Sequence, residues 1–362
     1  MKTRSQHLAE EHNTSRQGAR AALNQANGDL AAAGRILFRM QTQETQLNQN
    51  AHTWSPPPPP ANSFNVVSWN VQADQTRGFG HDGKDRSALE KCLGILMELS
   101  PKPDIIVLVE LQRCNRQTKT EDCNFCLHGN CPKDHAQWIT DRLSEYGYDG
   151  QYHNKGKMIN TVGLYYNKAT FEKTSELFFA NFDAKFGIGI KSKKGAVFGI
   201  LRHKKTGQKL LVAAVHLSVP LKHGQPNTAM QVGEVEQLKA KLNDVLQRSG
   251  NNDLPLLLAG DFNSTFEWSR KPNIAPPDVY NMITTWEQPM RSAYKVVNRE
   301  EPKFTAWKPD HSQFCECIDY IFGSHHLHPI AVRQLPSRPP REEACPSDHL
   351  LLGATYQFVN CT

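Results

Sequence analysis

The chain has 362 residues, a formal net charge of +6 and 38% apolar side chains. That length suits one large enzyme domain with a smaller appendage, and the apolar share is enough to bury a core. No apolar run approaches the roughly eighteen residues of a membrane-spanning helix. The mild charge permits an anionic ligand but lacks the dense basic stripe of a duplex-binding module. Met1–His7 carry no apolar stretch behind their basic residues, so no secretory signal is expected. The nine cysteines, odd in number and unevenly spaced, read as reduced thiols of a protein in the cytosol or the nucleus.

Residues 1–40 read as three short Ala-rich helices. The first covers Ser5–His12; Ser15 caps the second, which Asn27-Gly28-Asp29 ends; the third runs Leu30–Met40 with Ala33, Ile36 and Leu37 on one face. The pattern Ala19, Ala22-Leu23, Asn27–Leu30, Ala33, Leu37 resembles a ubiquitin-associated (UBA-like) three-helix domain of the kind found in nascent-polypeptide-associated complex. His12-Asn13-Thr14 stands where ubiquitin-binding members carry a Met-Gly-Phe/Tyr loop. The resemblance implies a protein partner for this segment; the alternative is a helical extension that packs on the main domain. Residues 41–62 are a Gln/Asn-rich linker ending in Pro56–Pro60, a polyproline II spacer.

From residue 63 to 362 the texture changes to that of a catalytic domain. Strand-length apolar runs recur at Phe64–Trp69, Asp104–Leu111, Gly163–Tyr166, Ala196–Leu201, Lys209–Leu217, Leu254–Ala259, Ile318–Phe322 and Leu351–Phe358. Helical patterns fall between some of them, at Ser87–Leu99, His135–Tyr146 and Gln231–Gln247. Many strands with fewer helices point to a layered α/β (α+β) protein.

Polar residues sit where these runs end: Asn70, Glu110, His216, Asp261 with Asn263, Asp319, and Asp348 with His349. Buried without partners they would be costly, but gathered at one rim they form a site. The types suit phosphoester hydrolysis. A hard dication such as Mg²⁺ takes carboxylate oxygens, with Glu110 the best ligand, helped by Asn70 and Asp348. Asp261 orients and deprotonates a water and Asn263 adds a hydrogen bond. His216 and His349 donate to phosphoryl oxygens, and Asp319 fixes the tautomer of His349 and favours its charged form.

As an ordered set, Ser68-Trp69-Asn70, Pro103–Glu110, His216-Leu217, Gly260–Asn263, Asp319–Ile321 and Ser347–His349 resemble the endonuclease/exonuclease/phosphatase superfamily. The resemblance implies a deoxyribonuclease-I-like four-layer sandwich, two mixed sheets flanked by helices. It implies Asn70 and Glu110 at the metal with Asp348 close by, Asp261 and Asn263 beside the attacking water, His216 near the phosphate, and Asp319 paired with His349. Mn²⁺ is an alternative ion. Ser292–Lys295, Phe304–Lys308, Cys317–Ile321 and Pro346–Leu350 look like the nocturnin and carbon-catabolite-repression deadenylase branch, as does Asn160–Tyr166, where Gly163-Leu164 replaces a Gly-Cys pair. Members of that branch remove adenylates from RNA 3′ ends or act on NADP(H) and related nucleotides.

Phe304 and Trp307 are candidates to stack a purine, worth about 1–3 kcal/mol per base, or else they pack in the loop. Lys155, Lys157 and the basic hairpin Lys191–Lys194 with Arg202–Lys209 either meet phosphates or stay solvated. The insertion 112–134 brings Cys123, Cys126, Cys131 and then His135 at near structural-zinc spacing; the alternative is a loop of free thiols. Two other readings stay open. One is a tyrosyl-DNA phosphodiesterase, which also joins a UBA-like domain to this fold. The other is an inactive scaffold of the same fold.

Overall fold

Runs of β-branched and aromatic residues form the strands of the chain, and the amphipathic stretches between them form its helices. In the computed structural model the described residues are 60–71, 85–112, 135–153, 160–182, 185–186, 190–191, 194–219, 221–222, 225–226, 228–265, 279–307, 315–335 and 346–359. Residues 1–40, where a UBA-like segment was expected, the linker as far as residue 59 and residues 113–134 of the expected insertion lie outside them. None of the described helices is long and apolar enough to cross a membrane.

The main strands are β1 (Ser63–Asn70), β2 (Ile105–Gln112), β3 (Tyr148–Tyr152), β4 (Asn160–Asn167), β5 (Phe171–Lys173), β6 (Phe178–Asn181), β7 (Gly195–His203), β8 (Lys209–His216), β9 (Leu256–Asp261), β10 (Arg291–Ser292), β11 (Asp319–Gly323), β12 (Leu327–Leu335) and β13 (Leu351–Phe358). The helices are α1 (Asp85–Glu98), α2 (His135–Glu145), α3 (Thr228–Arg248), α4 (Val279–Thr284) and α5 (Ala293–Asn298). One sheet runs in the order β12-β13-β1-β2-β4-β3. The other runs β10-β11-β9-β8-β7-β5, with β6 also on β7.

Alternation along the strands sorts side chains into three apolar layers. Phe64, Val66, Ile105 and Val107 of the first sheet meet Val197, Val212, Leu257 and Ile321 of the second in the central layer. The opposite face of the first sheet, with Val67, Trp69, Ile106 and Leu108, is covered by Leu89 and Leu93 of α1 and Ile139 and Leu143 of α2. The opposite face of the second, with Leu211, Ala213, Val215 and Leu258, is covered by Val235, Leu238 and Leu242 of α3. The result is the expected deoxyribonuclease-I-like sandwich of two mixed sheets flanked by helices. Because both faces of the central strands are covered, they read in sequence as unbroken apolar runs.

Each sheet has one parallel pair near its centre. In the first, β1 lies parallel to β2 with Asn70 opposite Val109; in the second, β8 lies parallel to β9 with His216 opposite Asp261. Parallel strands end on the same side, so each pair delivers its polar C-terminal residues together. The antiparallel neighbours begin where these end: Asp319, the first residue of β11, is opposite Asp261, and β13 starts two residues after His349.

The helices and strands expected after residue 63 occur, with ends shifted by a few residues. Strands β3, β5, β6, β10 and β12 and the short helices α4 and α5 were not expected from the sequence. β12 is an edge strand that carries Pro329 and a register shift between Pro329 and Ala331, which is where proline is tolerated in a sheet. Its burial is also partial, so no continuous apolar run marks it.

Gly260 fixes the approach of β9 to β8. Its φ is +146°, and a Cβ there would lie 1.9 Å from the Val215 carbonyl oxygen. Neither strand can yield without moving Asp261. Gly260→Ala should therefore lower folding stability by about 2–4 kcal/mol, read as a fall in midpoint on chemical denaturation; an unchanged midpoint would show that this contact does not constrain the sheet.

Candidate active site

At the ends of the parallel pairs, polar residues meet across the two sheets. Asp261 is 1% exposed. Its Oδ2 accepts from Asn70 Nδ2 at 3.0 Å, and its Oδ1 accepts from the Asn263 amide at 2.8 Å. The second bond closes a tight turn and holds Asn263 at φ 48°, a left-handed conformation that asparagine tolerates. The Asn263 side chain then donates to the Leu217 carbonyl at 2.9 Å, tying the loop after β9 to the loop after β8.

Glu110 reaches the site through a bulge. In the pairing of β2 with β4, Leu108 faces Gly163 and Leu111 faces Thr161, so Val109 and Glu110 together oppose Val162. The extra residue bends the strand, and Glu110 takes φ 60°. Left-handed backbone at a non-glycine residue costs on the order of 1–3 kcal/mol, and bulges re-aim side chains beside active sites. Here Glu110 Oε1 comes to 3.7 Å from His216 Nε2, the same separation as that between His216 Nε2 and Asp261 Oδ2.

His216 is fully buried. Burial first, then the positive Lys194 and His349, hold its pKa well below the ordinary imidazole value, so it is neutral. Lys194 Nζ lies 2.6 Å from its Nε2. This lysine was foreseen only as one member of a basic hairpin. The pairing of β7 with β8 places Gly195 opposite His216, and the residue just before Gly195 thereby falls beside the imidazole. Arg202 of the same basic set pairs instead with Glu172 at the protein surface.

His349 has the opposite character. Its Nδ1 lies 2.8 Å from Asp319 Oδ2. Burial disfavours the imidazolium, but Asp319, by charge and by hydrogen bond, reverses this with help from Asp261 and Asp348, raising the pKa to about 10. The ring is fixed from behind. Trp69 Nε1 donates to the His349 carbonyl at 2.9 Å, the His349 amide donates to Ser347 Oγ at 3.1 Å, and Ser347 Oγ donates to the Asn70 carbonyl at 2.6 Å. Asn70 Nδ2 stands 3.4 Å from His349 Nε2; with both nitrogens protonated this is a contact, not a hydrogen bond.

Helix α3 supplies a buried support. Glu234 accepts from the Ser218 amide at 2.8 Å and from Ser218 Oγ at 2.6 Å. Gln231 Nε2 donates to the Ser218 carbonyl at 2.6 Å and to the Asn263 carbonyl at 3.0 Å. These two side chains clamp the loops after His216 and Asp261 together. Sequence reading missed both, because a Gln and a Glu on an amphipathic helix look like its solvent face.

Two sets of ligand atoms lie within 4.8 Å of one another here: Glu110, His216 and Asp261, and then Asp261, Asp319 and His349. Burial, then Asp319, push the Asp261 carboxyl up to about 7; Glu110 adds to the effect, while His349 and Lys194 oppose it. Carboxylates so crowded call for a cation, and hard oxygen donors suit a hard dication. Glu110, Asp261 and the Asn70 amide oxygen are the donors that fit one. Asp348 stands outside both sets, with its Oδ1 3.8 Å from His349 Nε2.

The remaining expected residues divide. Phe304 is half-buried, and its carbonyl accepts from Gln334 Nε2 at 2.6 Å; Ala306, two residues on, bridges to His349, so this segment borders the site. Lys155, Lys157, Cys123, Cys126, Cys131 and the side chains of Trp307 and His135 lie outside the described residues.

Comparison with known proteins finds the same fold. The human nocturnin catalytic domain with bound sulfate is 22% identical; the match covers 82% of this chain and 95% of that one, with a TM-score of 0.56. TDP2 from C. elegans is 16% identical over 98% of this chain and 92% of that one, TM-score 0.53. ANGEL2, a 2′,3′-cyclic phosphatase in complex with adenosine-2′,3′-vanadate, is 17% identical over 82% and 96%, TM-score 0.56. None of the curated proteins matches this chain. The model of the Endonuclease/Exonuclease/phosphatase family matches residues 67–349, a span that contains every strand-end residue described above, and the chain therefore belongs to that family of metal-dependent phosphoesterases and nucleases.

Proposed function

We propose that this chain is a Mg²⁺-dependent phosphodiesterase that removes nucleotides from RNA 3′ ends, in the manner of a deadenylase. The observation that carries the reading is the pairing of a neutral, buried His216 with a charged, Asp319-held His349 on either side of Asp261. That combination offers one base and one firm hydrogen-bond donor, the His349 imidazolium, to a single phosphoryl group. Glu110 and Asn70 would hold the ion, with Asp348 at its border and Asp261 left free to act as base. Bound there, Mg²⁺ would polarise the phosphoryl oxygens and offset the charge that develops on them.

The chain's own residues do the rest. Asp261 takes the proton of the attacking water, and the Asn263 turn keeps that carboxylate aimed. His349 donates from Nε2 to a phosphoryl oxygen, since Asp319 occupies Nδ1. The Phe304–Trp307 segment beside His349 is where a terminal base would stack. The local motifs shared with the nocturnin branch support an adenylate-bearing 3′ end, and the adenosine-2′,3′-vanadate complex of ANGEL2 supports a ribose phosphate in a site of this kind. NADP(H) is the small-molecule form of the same reading.

A second reading has its own support. The match with C. elegans TDP2 extends over 98% of this chain, whereas the truncated C. elegans TDP2 covers 82%. That favours tyrosyl-DNA phosphodiesterase activity. For the N-terminal segment we propose a protein partner, and for the whole chain the cytosol or the nucleus.

Three measurements bear on these roles. Purified protein in Mg²⁺ should shorten 3′-polyadenylated RNA. Phosphate release from NADPH alone would assign a nucleotide substrate, and release of tyrosine from a 5′-phosphotyrosyl oligonucleotide would assign the second reading. Asp261→Asn and Glu110→Gln should each cut kcat by about a thousand-fold or more while leaving the melting temperature within a few degrees; full activity in either variant removes that residue from the mechanism. The third is a pH profile. The charged form of His349 persists up to about 10 and is lost above it, so Asp319→Asn, by removing the carboxylate that raises this value, should bring the alkaline limb of kcat/KM to lower pH. An unmoved limb would mean that the His349 proton is not used.

A further inference from the structure

The two strands that meet at the active site also meet at their other ends. On β9, Asp261 closes the strand at the site and Asp253 lies just before its start; on β11, Asp319 opens the strand at the site and His325 and His326 follow its end. Asp261 pairs with Asp319 and Leu257 with Gly323, so register carries Asp253 and the two histidines to a common place. At about 3.3 Å per residue, that place is roughly 25 Å from Asp261.

Asp253, His325 and His326 each offer one ligand atom there, and all of these lie within 4.8 Å of one another. His326 is 5% exposed, and its Nε2 is 2.9 Å from Asp253 Oδ1. The two imidazole rings lie 3.8 Å apart, tilted by 39°. The loops that bear them are fixed to each other: the Leu256 amide donates to Ser324 Oγ at 3.0 Å, the Ser324 amide to the Leu256 carbonyl at 2.8 Å, and the Val359 amide to the His326 carbonyl at 2.9 Å. Beside this cluster opens a cavity of about 320 Å³ whose wall includes Asp253, His325, Asn243, Asn252 and Gln288. It leaves room for water on the open side.

We propose that Asp253, His325 and His326 form a second metal site, separate from the catalytic one, for a zinc-type divalent cation. Two imidazoles and one carboxylate are the donor set that such an ion takes when it keeps an open coordination position. The catalytic site differs in kind, since it is dominated by carboxylate oxygens and suits a harder ion. The backbone bonds above hold the loops in place before the ion arrives, so binding requires little reordering of the chain. The water-accessible cavity is where the open position would face.

The test is a zinc stoichiometry by equilibrium dialysis on the full-length protein in Mg²⁺, comparing wild type with His325→Ala and Asp253→Asn. Both replaced side chains are exposed, so the variants should fold, and hydrolytic activity in Mg²⁺ should be unchanged. Each variant should bind one zinc equivalent fewer than wild type and lose part of the zinc-induced rise in melting temperature. With cobalt, the equivalent lost should show nitrogen and oxygen ligation without a thiolate charge-transfer band. Equal stoichiometry in wild type and both variants would leave only the His326–Asp253 contact and overturn the site. So would a lost equivalent that carries the thiolate band, or one that disappears in Glu110→Gln instead.

Discussion

Asp261 is a carboxylate buried where both sheets end, and its satisfaction organises everything around it. An unpaired charge at that depth would cost several kcal/mol, so each surrounding group is placed to answer it: the Asn70 amide from one sheet, the Asn263 backbone from its own turn, and the positive charges of His349 and Lys194 at greater distance. The same burial leaves its affinity for a proton high. A carboxylate in that condition can accept a proton from water, which one on the surface at neutral pH does poorly. Structural cost and chemical capacity thus have one origin.

The two histidines are differentiated by the same logic. Both are buried, which alone would make both neutral. Asp319 sits against His349 and reverses the outcome there, while Lys194 sits against His216 and reinforces it. A phosphoryl group between them would meet one imidazole that is a firm donor and one whose protonation is kept down. The strand register does this work: Asp319 is opposite Asp261 in β11, and Gly195 is opposite His216 in β7. A slip of one residue in either pairing would turn these side chains to the other face of the sheet.

Much of this was legible in the sequence because central strands covered on both faces leave unbroken apolar runs, and the polar residues at their ends then stand out. Asn70, Glu110, His216, Asp261, Asn263, Asp319 and His349 were all marked that way, and the structure brings them together. What escaped depended on pairing. Lys194 becomes a neighbour of His216 only once β7 and β8 are in register, and among several lysines nothing local distinguishes it. The bulge that turns Glu110 inward needs β4 beside β2, and no residue type announces it. Glu234 and Gln231 look solvated until α3 lies over the loops after β8 and β9. Edge strand β12, with Pro329, lacks the continuous run that marks its neighbours.

The division between strands and loops also bears on substrate. On the proposed reading, the groups on the strand ends would serve steps that any phosphoester requires: holding a cation, activating water, or stabilising a phosphoryl oxygen. Choice of substrate would then come from segments attached to this frame, and Phe304–Trp307 is one described segment that borders it, joined to His349 through Ala306. Its position is set by the Phe304 carbonyl on Gln334 of the edge strand and by Thr305, whose hydroxyl accepts from the Ile318 and Asp319 amides. The loop that would hold a terminal base is therefore anchored to the residue that orients His349. On the proposed reading, a base seated there would be tied through two hydrogen bonds, Asp319 amide to Thr305 and His349 to Asp319, to the imidazolium that would meet the phosphate.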